Sequence, residues 1–399
     1  MTRLLIVSEQ VWPQGSGGTL ATHLAIKLFA QRNIDTTVIT GTPNPAKIEG
    51  VRYILPTFLK FSEKLRLWAH LVRPSVQHWF KSMFRETDVV YIPRYCYPLI
   101  PLARDLCEKV VVHLHDYQLI SYNAAIFHNS QRRSFLDSLN DELLFELSEH
   151  TSLSRALLGS LLIPLNRLSR TFVAEADKIL CVSKRQSEII GRGFPEIVEK
   201  VSVIYNPLPE LSIAEKRLEG PTMMYVGGDS YLKGFHIFLR ASCELLKQNP
   251  HIKFMLTRPY KDTNALLIDR LNQKFGGAYN LTGYLKYEEL RDLHSRSWAL
   301  LFPSIWEEPF GYAVLEAMLA GTVPIASSVG GVPEIVRGTF AEKMLFDPGS
   351  VDSFVDRIES LVAMSEEQLT DLGFGLRETA LKRFGSEATK EKLLNAFLS

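Results

Sequence analysis

The chain has 399 residues, 46% hydrophobic and 22% charged, which excludes disordered and fibrous classes and gives enough length for two buried cores. Its 45 basic and 44 acidic side chains leave a formal net charge of +1, so no global field marks nucleic acid as a partner. Any anion site must be local.

The opening "MTRLLIVSEQ" reads as a buried first strand, its apolar stretch too short for a signal-peptide core. Directly after it comes "WPQGSGGTLATHLAIKLFAQRN", where Gly15, Gly17 and Gly18 stand at a strand-to-helix handover that Ser16 or Thr19 is placed to cap. Glycines there let backbone amides approach an anion, and a helix start adds about half a positive charge, which suits a phosphate. An ordinary flexible turn fits the same residues, for the cluster has neither the Walker lysine spacing nor a clean GxGxxG.

Apolar runs recur between helical patterns: "LLIVS", "TTVIT", "DVVYI", "KVVVHL", "KILCVS" and "VSVIY" in the first half, then "TMMYVG", "IKFML", "WALLF", "VPIAS" and "KMLF". Continuous apolar strands separated by helices predict parallel sheets covered on both faces, so both halves read as doubly wound α/β units. Residues 58–88, "FLKFSEKLRLWAHLVRPSVQHWFKSMFRETD", interleave Lys60, Lys64, Arg66, Arg73, Lys81 and Arg85 with Phe58, Phe61, Trp68, Trp79, Phe80 and Phe84. That pattern fits a headgroup layer of anionic lipid or a helix packed on its own domain, and both readings stay open.

"VVHLHDYQ" ends an apolar strand with His113 and His115, which alternation turns to one side, where α/β sheets collect ligands. A structural pair is the plainer reading of either alone. "ALLGSLLIPL" at 156–165, the longest apolar run, is broken by Gly, Ser and Pro, so no transmembrane anchor is expected. Cys96, Cys107, Cys181 and Cys243 form no CxxC pair and read as free thiols of a reducing cytosol.

Periodicity lapses in "YNPLPELSIAEKRLEGPT", placing a domain boundary near Asn206. "YVGGDSYLKGFHIFLRA" then repeats the strand, Gly-rich turn and helix, with Lys233 positioned to reach a phosphate. In "FPSIWEEPFGYAVLEAMLAGTVPIASSVGG", Glu308 and Glu316 are separated by seven intervening residues, and Pro309 is predicted in the first turn of a helix that ends by Gly321. Eight helical residues would separate the carboxylates by roughly 12 Å. Amides near Tyr312 to Val314 lie between them, an order that suits a sugar, a diphosphate and a ribose. Glu307 reads as a solvated neighbour without a role. "SEATKEKLLNAFLS" is a last helix with no strand after it.

Together these residues resemble the family 4 retaining glycosyltransferases of the GT-B fold, through "GGTLATHLAIKL", "VVHLHD", "ADKILCVS", "VIYNP", "YVGGDSYLKG" and "PSIWEEPFGYAVLEAMLAGTVPIASSVGGVPEIV". The resemblance implies two Rossmann-like domains facing across a cleft: an acceptor-binding domain at 1–205, a nucleotide-sugar domain at 206–380, and a helix at 381–399 crossing back to the first. It implies that Glu316 binds ribose hydroxyls, Glu308 meets the donor sugar, Lys233 meets the diphosphate, Gly18 approaches it from across the cleft, and His115 lies near the reaction centre. Gly17, Leu285, Phe310, Gly311, Tyr312, Ala313 and Val314 complete the expected donor contacts. Many relatives carry an arginine where this chain has Gly228, which leaves stabilisation of the leaving group to Lys233, the helix-start amides and Arg258 as a replacement cation.

The implied activity is retaining transfer of a sugar from a nucleoside diphosphate sugar to a glycan or lipid-linked acceptor. No Asp-x-Asp motif occurs, so no metal or other cofactor is expected. The expected place is the cytoplasm, peripheral on the inner face of the membrane. An epimerase or phosphorylase on the same fold, or a noncatalytic sugar-nucleotide-binding subunit, are the alternatives.

Overall fold

The computed structural model describes residues 2–61, 63–128, 135–150, 152–209 and 215–398. Seven strands, β1 (Arg3–Ser8), β2 (Asp35–Thr40), β3 (Arg52–Ile54), β4 (Val89–Ile92), β5 (Lys109–Leu114), β6 (Lys178–Cys181) and β7 (Val201–Val203), form a parallel sheet in the order β3-β2-β1-β4-β5-β6-β7. Six more, β8 (Thr222–Tyr225), β9 (Lys253–Thr257), β10 (Tyr279–Gly283), β11 (Ala299–Phe302), β12 (Val323–Ser327) and β13 (Leu345–Phe346), form a second parallel sheet in the order β10-β9-β8-β11-β12-β13.

The first sheet carries α1 (Gly17–Gln31), α2 (Lys64–Leu71), α3 (Pro74–Arg85), α4 (Ile100–Arg104), α5 (Phe135–His150), α6 (Leu153–Leu162), α7 (Leu165–Ala174) and α8 (Lys184–Gly193). With the second come α9 (Phe235–Gln248), α10 (Asp262–Lys274), α11 (Tyr287–Arg296), α12 (Tyr312–Leu319), α13 (Val332–Val336), α14 (Phe340–Lys343), α15 (Val351–Val362) and α16 (Glu366–Phe384), followed by α17 (Glu387–Leu398).

The architecture is the doubly wound α/β class that the apolar runs predict, and each run named above contains a strand. Both central strands are buried along their length because helices cover both faces: β4 and β11 have no exposed residue. Register is set by pairs such as Leu5 with Val90 and Met224 with Leu300. Two strands, β3 and β10, have no matching apolar run: they lie at sheet edges and hold polar residues such as Arg52 and Asn280.

The chain's last helix packs against the first sheet's layer, where Phe397 meets Phe29 and Tyr91 at ring distances of 4.9 and 4.8 Å. Arg32, the C-cap of α1, holds the outer face of that last helix through Glu387 at 2.9 Å and Glu391 at 2.7 Å.

The 58–88 stripe is core packing as far as its aromatics go. Trp68, Phe80 and Phe84 are buried, and Phe58, Phe61 and Trp79 pack partly buried on the same cluster, so these rings do not face a headgroup layer. Lys64 is buried too, its ammonium donating to the Tyr122 carbonyl while burial pulls its pKa down to about 8. Among the described residues, no helix is long and apolar enough to cross a membrane, and all four cysteines are free.

Candidate functional site

In each sheet the strand order reverses at one point, between β1 and β4 in the first and between β8 and β11 in the second. Loops leaving such points diverge and open a crevice for ligands. The candidate residues sit there: Gly15 to Gly18 follow β1, Gly227 to Lys233 follow β8, and Ser304 to Glu308 follow β11.

At the centre, Lys233 Nζ donates to Glu308 Oε1 at 2.6 Å. The same oxygen accepts from Ser304 Oγ at 2.9 Å and from Trp306 Nε1 at 2.6 Å, so the carboxylate, only 5% exposed, is fixed by three donors. The Lys233 ammonium lies 5.0 Å from the Trp306 ring centroid. Its stem starts one residue before Gly234, whose φ of 72° a side chain rarely adopts and whose missing Cβ would collide with the Pro303 carbonyl. Glycine there lets the two turns close on each other.

Glu316 lies in the second turn of α12 and makes no side-chain hydrogen bond among the described residues. Burial pushes its carboxyl pKa up to about 7, while the positive charge of Arg258 pulls the other way. Arg258 holds a left-handed backbone, with φ 73°, pinned where its N–H donates to the Gly283 carbonyl at 2.7 Å. A non-glycine residue at positive φ costs about 1–3 kcal/mol and is found where structure around it fixes the conformation. A Cβ built on Gly228 would lie 3.6 Å from the Arg258 Cβ and 3.7 Å from its Cδ, so Arg258 runs beside the space a side chain at Gly228 would enter.

Across the crevice, Gly18 lies against His115, where a Cβ would come within 2.8 Å of the imidazole's Cβ. His113 and His115 do share one side, their rings 4.1 Å apart. His113 Nδ1 is 3.0 Å from the Tyr91 hydroxyl, whereas both ring nitrogens of His115 are enclosed without a hydrogen-bond partner among the described residues. Burial, reinforced by His113 and Arg94, holds His115 well below its usual pKa, so it is a neutral imidazole. Gly17 faces the Tyr312 ring, with a built Cβ 3.1 Å from Cδ2.

Not every expected donor contact points into this space. Pro309 precedes α12 rather than opening it: Gly311, at φ 107°, is the cap, so the segment from Glu308 to Glu316 is not one helical rise. Phe310 is buried among Tyr205, Tyr312 and Phe384, and Val314 is wholly buried, its N–H already donated to the Gly311 carbonyl. The Tyr312 hydroxyl is spent on the Pro207 carbonyl at 2.9 Å. Leu285 packs partly buried beside Ala317 and Leu300. What remains at the helix start is the amides of Tyr312 and Ala313, which make no hydrogen bond among the described residues.

Other residues matter that sequence reading passed over. Glu307 is not solvated: it is 3% exposed, takes Arg185 at 2.7 Å and the Gly330 amide at 2.9 Å, and lies 3.2 Å from His128 Nδ1. Burial alone would raise its pKa, but His128 and Arg185 hold it at about 2. Since Arg185 and His128 belong to the first unit, Glu307 ties the two units together, as does Glu334, which accepts the Lys184 and Arg185 amides at the start of α8. Glu149, at the end of α5, takes Ser230 Oγ at 2.6 Å and the Leu232 amide at 2.7 Å, bracing the turn that carries Lys233. The only sequence signal for Glu307 was its adjacency to Glu308; for Glu149 there was none.

Residues 16–209 match the family described as glycosyltransferase family 4, and residues 210–373 match the family described as glycosyl transferases group 1. Over 256 residues the chain is 25% identical to alpha-maltose-1-phosphate synthase of Mycolicibacterium smegmatis, covering 58% of this chain and 65% of that protein. Such curated relatives are matched over less than two thirds of their length. Sucrose-phosphate synthase from Thermosynechococcus elongatus superposes with a TM-score of 0.72 at 17% identity, covering 99% of this chain and 98% of that one. Anabaena HepE in complex with UDP-glucose gives 0.67 at 15% identity, covering 99% of both chains. These solved structures share the GT-B fold of two facing units.

Proposed function

Because this chain belongs to the group 1, family 4 glycosyltransferases, we propose that it moves a sugar from a nucleoside diphosphate sugar to an acceptor hydroxyl, with retention of configuration. The acceptor in this reading is a glycan or lipid-linked sugar, met by the first unit with the protein peripheral on a membrane. The observation that carries the reading is the convergence, at the switch points of both sheets, of the Lys233–Glu308 pair, Glu316, Arg258 and the enclosed His115.

The roles follow from the chemistry of each group. Glu316 accepts from the ribose hydroxyls, and Glu308 orients the donor sugar while Ser304 and Trp306 keep its carboxylate in place. As the bond from the sugar to the diphosphate breaks, charge builds on the leaving oxygen. Lys233, Arg258 and the amides of Tyr312 and Ala313 are the groups placed to stabilise that charge, the largest contribution a protein makes to such a step. The acceptor hydroxyl attacks from the face the diphosphate leaves, and its proton passes to the departing diphosphate oxygen as the new bond to the sugar forms. His115, being neutral, is placed to hydrogen-bond to the sugar without adding a competing positive charge. Those fixed cations and amides supply the positive field for which other enzymes hold a divalent ion, which supports a metal-independent reaction.

A thermal-shift panel of nucleoside diphosphate sugars, beginning with UDP-glucose, tests the reading. A donor present at 100 times its dissociation constant adds about 2.7 kcal/mol of stability. The stabilising donor should then be consumed with an acceptor to give a glycoside whose anomeric proton coupling matches the donor's. A product of inverted configuration, or donor epimerised without transfer, would sink the proposal.

A further inference from the structure

Between β5 and β6 the chain leaves the first sheet for a helical excursion, and its outer surface is unusually apolar. On α6, Leu153, Leu157, Leu158 and Leu161 are 64%, 57%, 55% and 76% exposed. Three of them recur at intervals of four and so form one stripe, while Ala156 and Gly159 on the opposite side are buried. Leu144 of α5 and Leu168 of α7 extend the patch, 50% and 46% exposed. Single exposed leucines need no explanation, but a contiguous row of them marks a contact surface.

The charges around the row select the partner. Residues 151–174 contain Arg155, Arg167 and Arg170 and no carboxylate. Of the five acids of α5, three are turned inward: Glu142 accepts from Ser121 and the Tyr122 amide, Glu146 pairs with Arg155, and Glu149 holds the Lys233 turn, while Asp141 is half-buried and Asp137 is exposed. Against α7 lies α2, through Trp68 and Phe172, where the exposed Arg66 is paired with the exposed Glu63 at 3.0 Å and adds no net charge. The stripe has none of the aromatic and Met anchors that enrich protein interfaces, and aliphatic chains flanked by arginine suit an acyl boundary under anionic headgroups.

We infer that the outer face of α6, with Leu144 and Leu168 beside it, docks on an anionic lipid bilayer. The placement suits the site: Glu149, only four residues before Leu153, is bonded to the turn whose Lys233 pairs with Glu308. A bilayer on this face lies beside the mouth of the crevice, so a membrane-held acceptor reaches the donor sugar without leaving its lipid. This deepens the proposed lipid-linked acceptor and rests on that reading for its use. It also moves the membrane face from the aromatics of residues 58–88, which are packed inside, to a segment the sequence pattern marked only as unable to span.

The test is flotation of the full chain, without donor, on vesicles of phosphatidylcholine with phosphatidylglycerol and on phosphatidylcholine alone. The protein should float with the anionic vesicles at low salt, less as salt rises, and a Leu157→Glu, Leu161→Glu variant should partition about tenfold less. Both positions are exposed, and an unchanged melting temperature and donor-induced shift would show that the variant is folded. Absence from the floating fraction at low salt overturns the inference, as does equal flotation of the variant. A dimer in light scattering that the variant dissolves also overturns it, by giving the face to a second copy. Donor-induced shifts on the same sample separate the outcomes: lost flotation with intact donor binding removes only the docking face.

Discussion

Lys233 and Glu308 meet at 2.6 Å although they come from different turns, one after β8 and one after β11. The pair is part of a four-group cluster with Ser304 and Trp306, so removing Glu308 strips three donors of their acceptor and removing Lys233 leaves a buried carboxylate without its counter-charge. Lys233→Ala is expected to lower transfer by about 10²-fold or more, the scale for losing one preorganised donor at a developing anion. Glu308→Gln keeps the shape and should lower turnover while leaving donor affinity nearly unchanged. Initial rates beside titration calorimetry separate the two effects, and a Glu308→Gln enzyme with unchanged rates would take that residue out of the reaction.

Glu316 predicts opposite pH trends in binding and stability. With its pKa raised from 4.5 to about 7, the folded chain holds this proton more tightly than the unfolded chain. Its contribution to stability is therefore full below 4.5 and lost as pH rises through about 7. The ionised form is the better acceptor for ribose hydroxyls, so donor affinity should rise across the same window. Glu316→Gln should flatten both slopes, and Glu316→Ala should weaken donor binding at every pH. Calorimetry and thermal melts at about pH 6 and about pH 8 check this; a Gln variant that keeps the wild-type slopes would assign them to another group.

Arg258→Ala should raise the Glu316 pKa further, because the guanidinium is the charge that opposes its desolvation. It should also cost about tenfold or more in turnover if the side chain replaces the arginine missing at Gly228. Arg258→Lys, which keeps the charge, should recover part of that loss. Restoring an arginine at residue 228 is a poor test, since the φ of 62° there strains any side chain.

The fold was legible because continuous apolar strands and Gly-marked handovers are local signals. β3 and β10 escaped because an edge strand is solvated along one side and is not required to be apolar. The site was legible where one short segment holds several groups, as from Ser304 to Glu316. It was not legible where a partner comes from far away: Arg185 lies 122 residues before Glu307, and Glu149 lies 83 before Leu232. The aromatics of residues 58–88 misled for a related reason, since helical spacing gives a stripe without saying which side of the helix the sheet covers.

Arg185 and Glu307 should couple in a double-mutant cycle by about 1–3 kcal/mol, because Glu307 is buried and Arg185 is its main donor. Arg185 is 35% exposed, which places the value toward the lower end. Glu307 is held at about 2, so its contribution is present above 4.5 and lost as pH falls toward 2. Denaturant melts of the two single variants and the double variant measure the coupling; simple additivity would mean that the units are held by other contacts.

Dialysis against a chelator should leave transfer nearly intact. The positive field in the proposed reaction comes from side chains and amides, which dialysis does not remove. Activity that disappears and returns with manganese would replace those groups with a bound ion.

The contact of Phe397 with Phe29 and Tyr91 also fixes an order of assembly on the ribosome. Translation delivers α1 and β4 before the second sheet and α17 only after it, with that whole sheet made between them. The layer around Phe29 thus waits, incompletely covered, while some three hundred residues emerge, and the second unit can finish its own core first. A stop codon just before α17 would yield a chain with nearly every candidate site residue present and an open apolar seam on its first unit. Such a chain should be recognised by chaperones and proteases rather than accumulate.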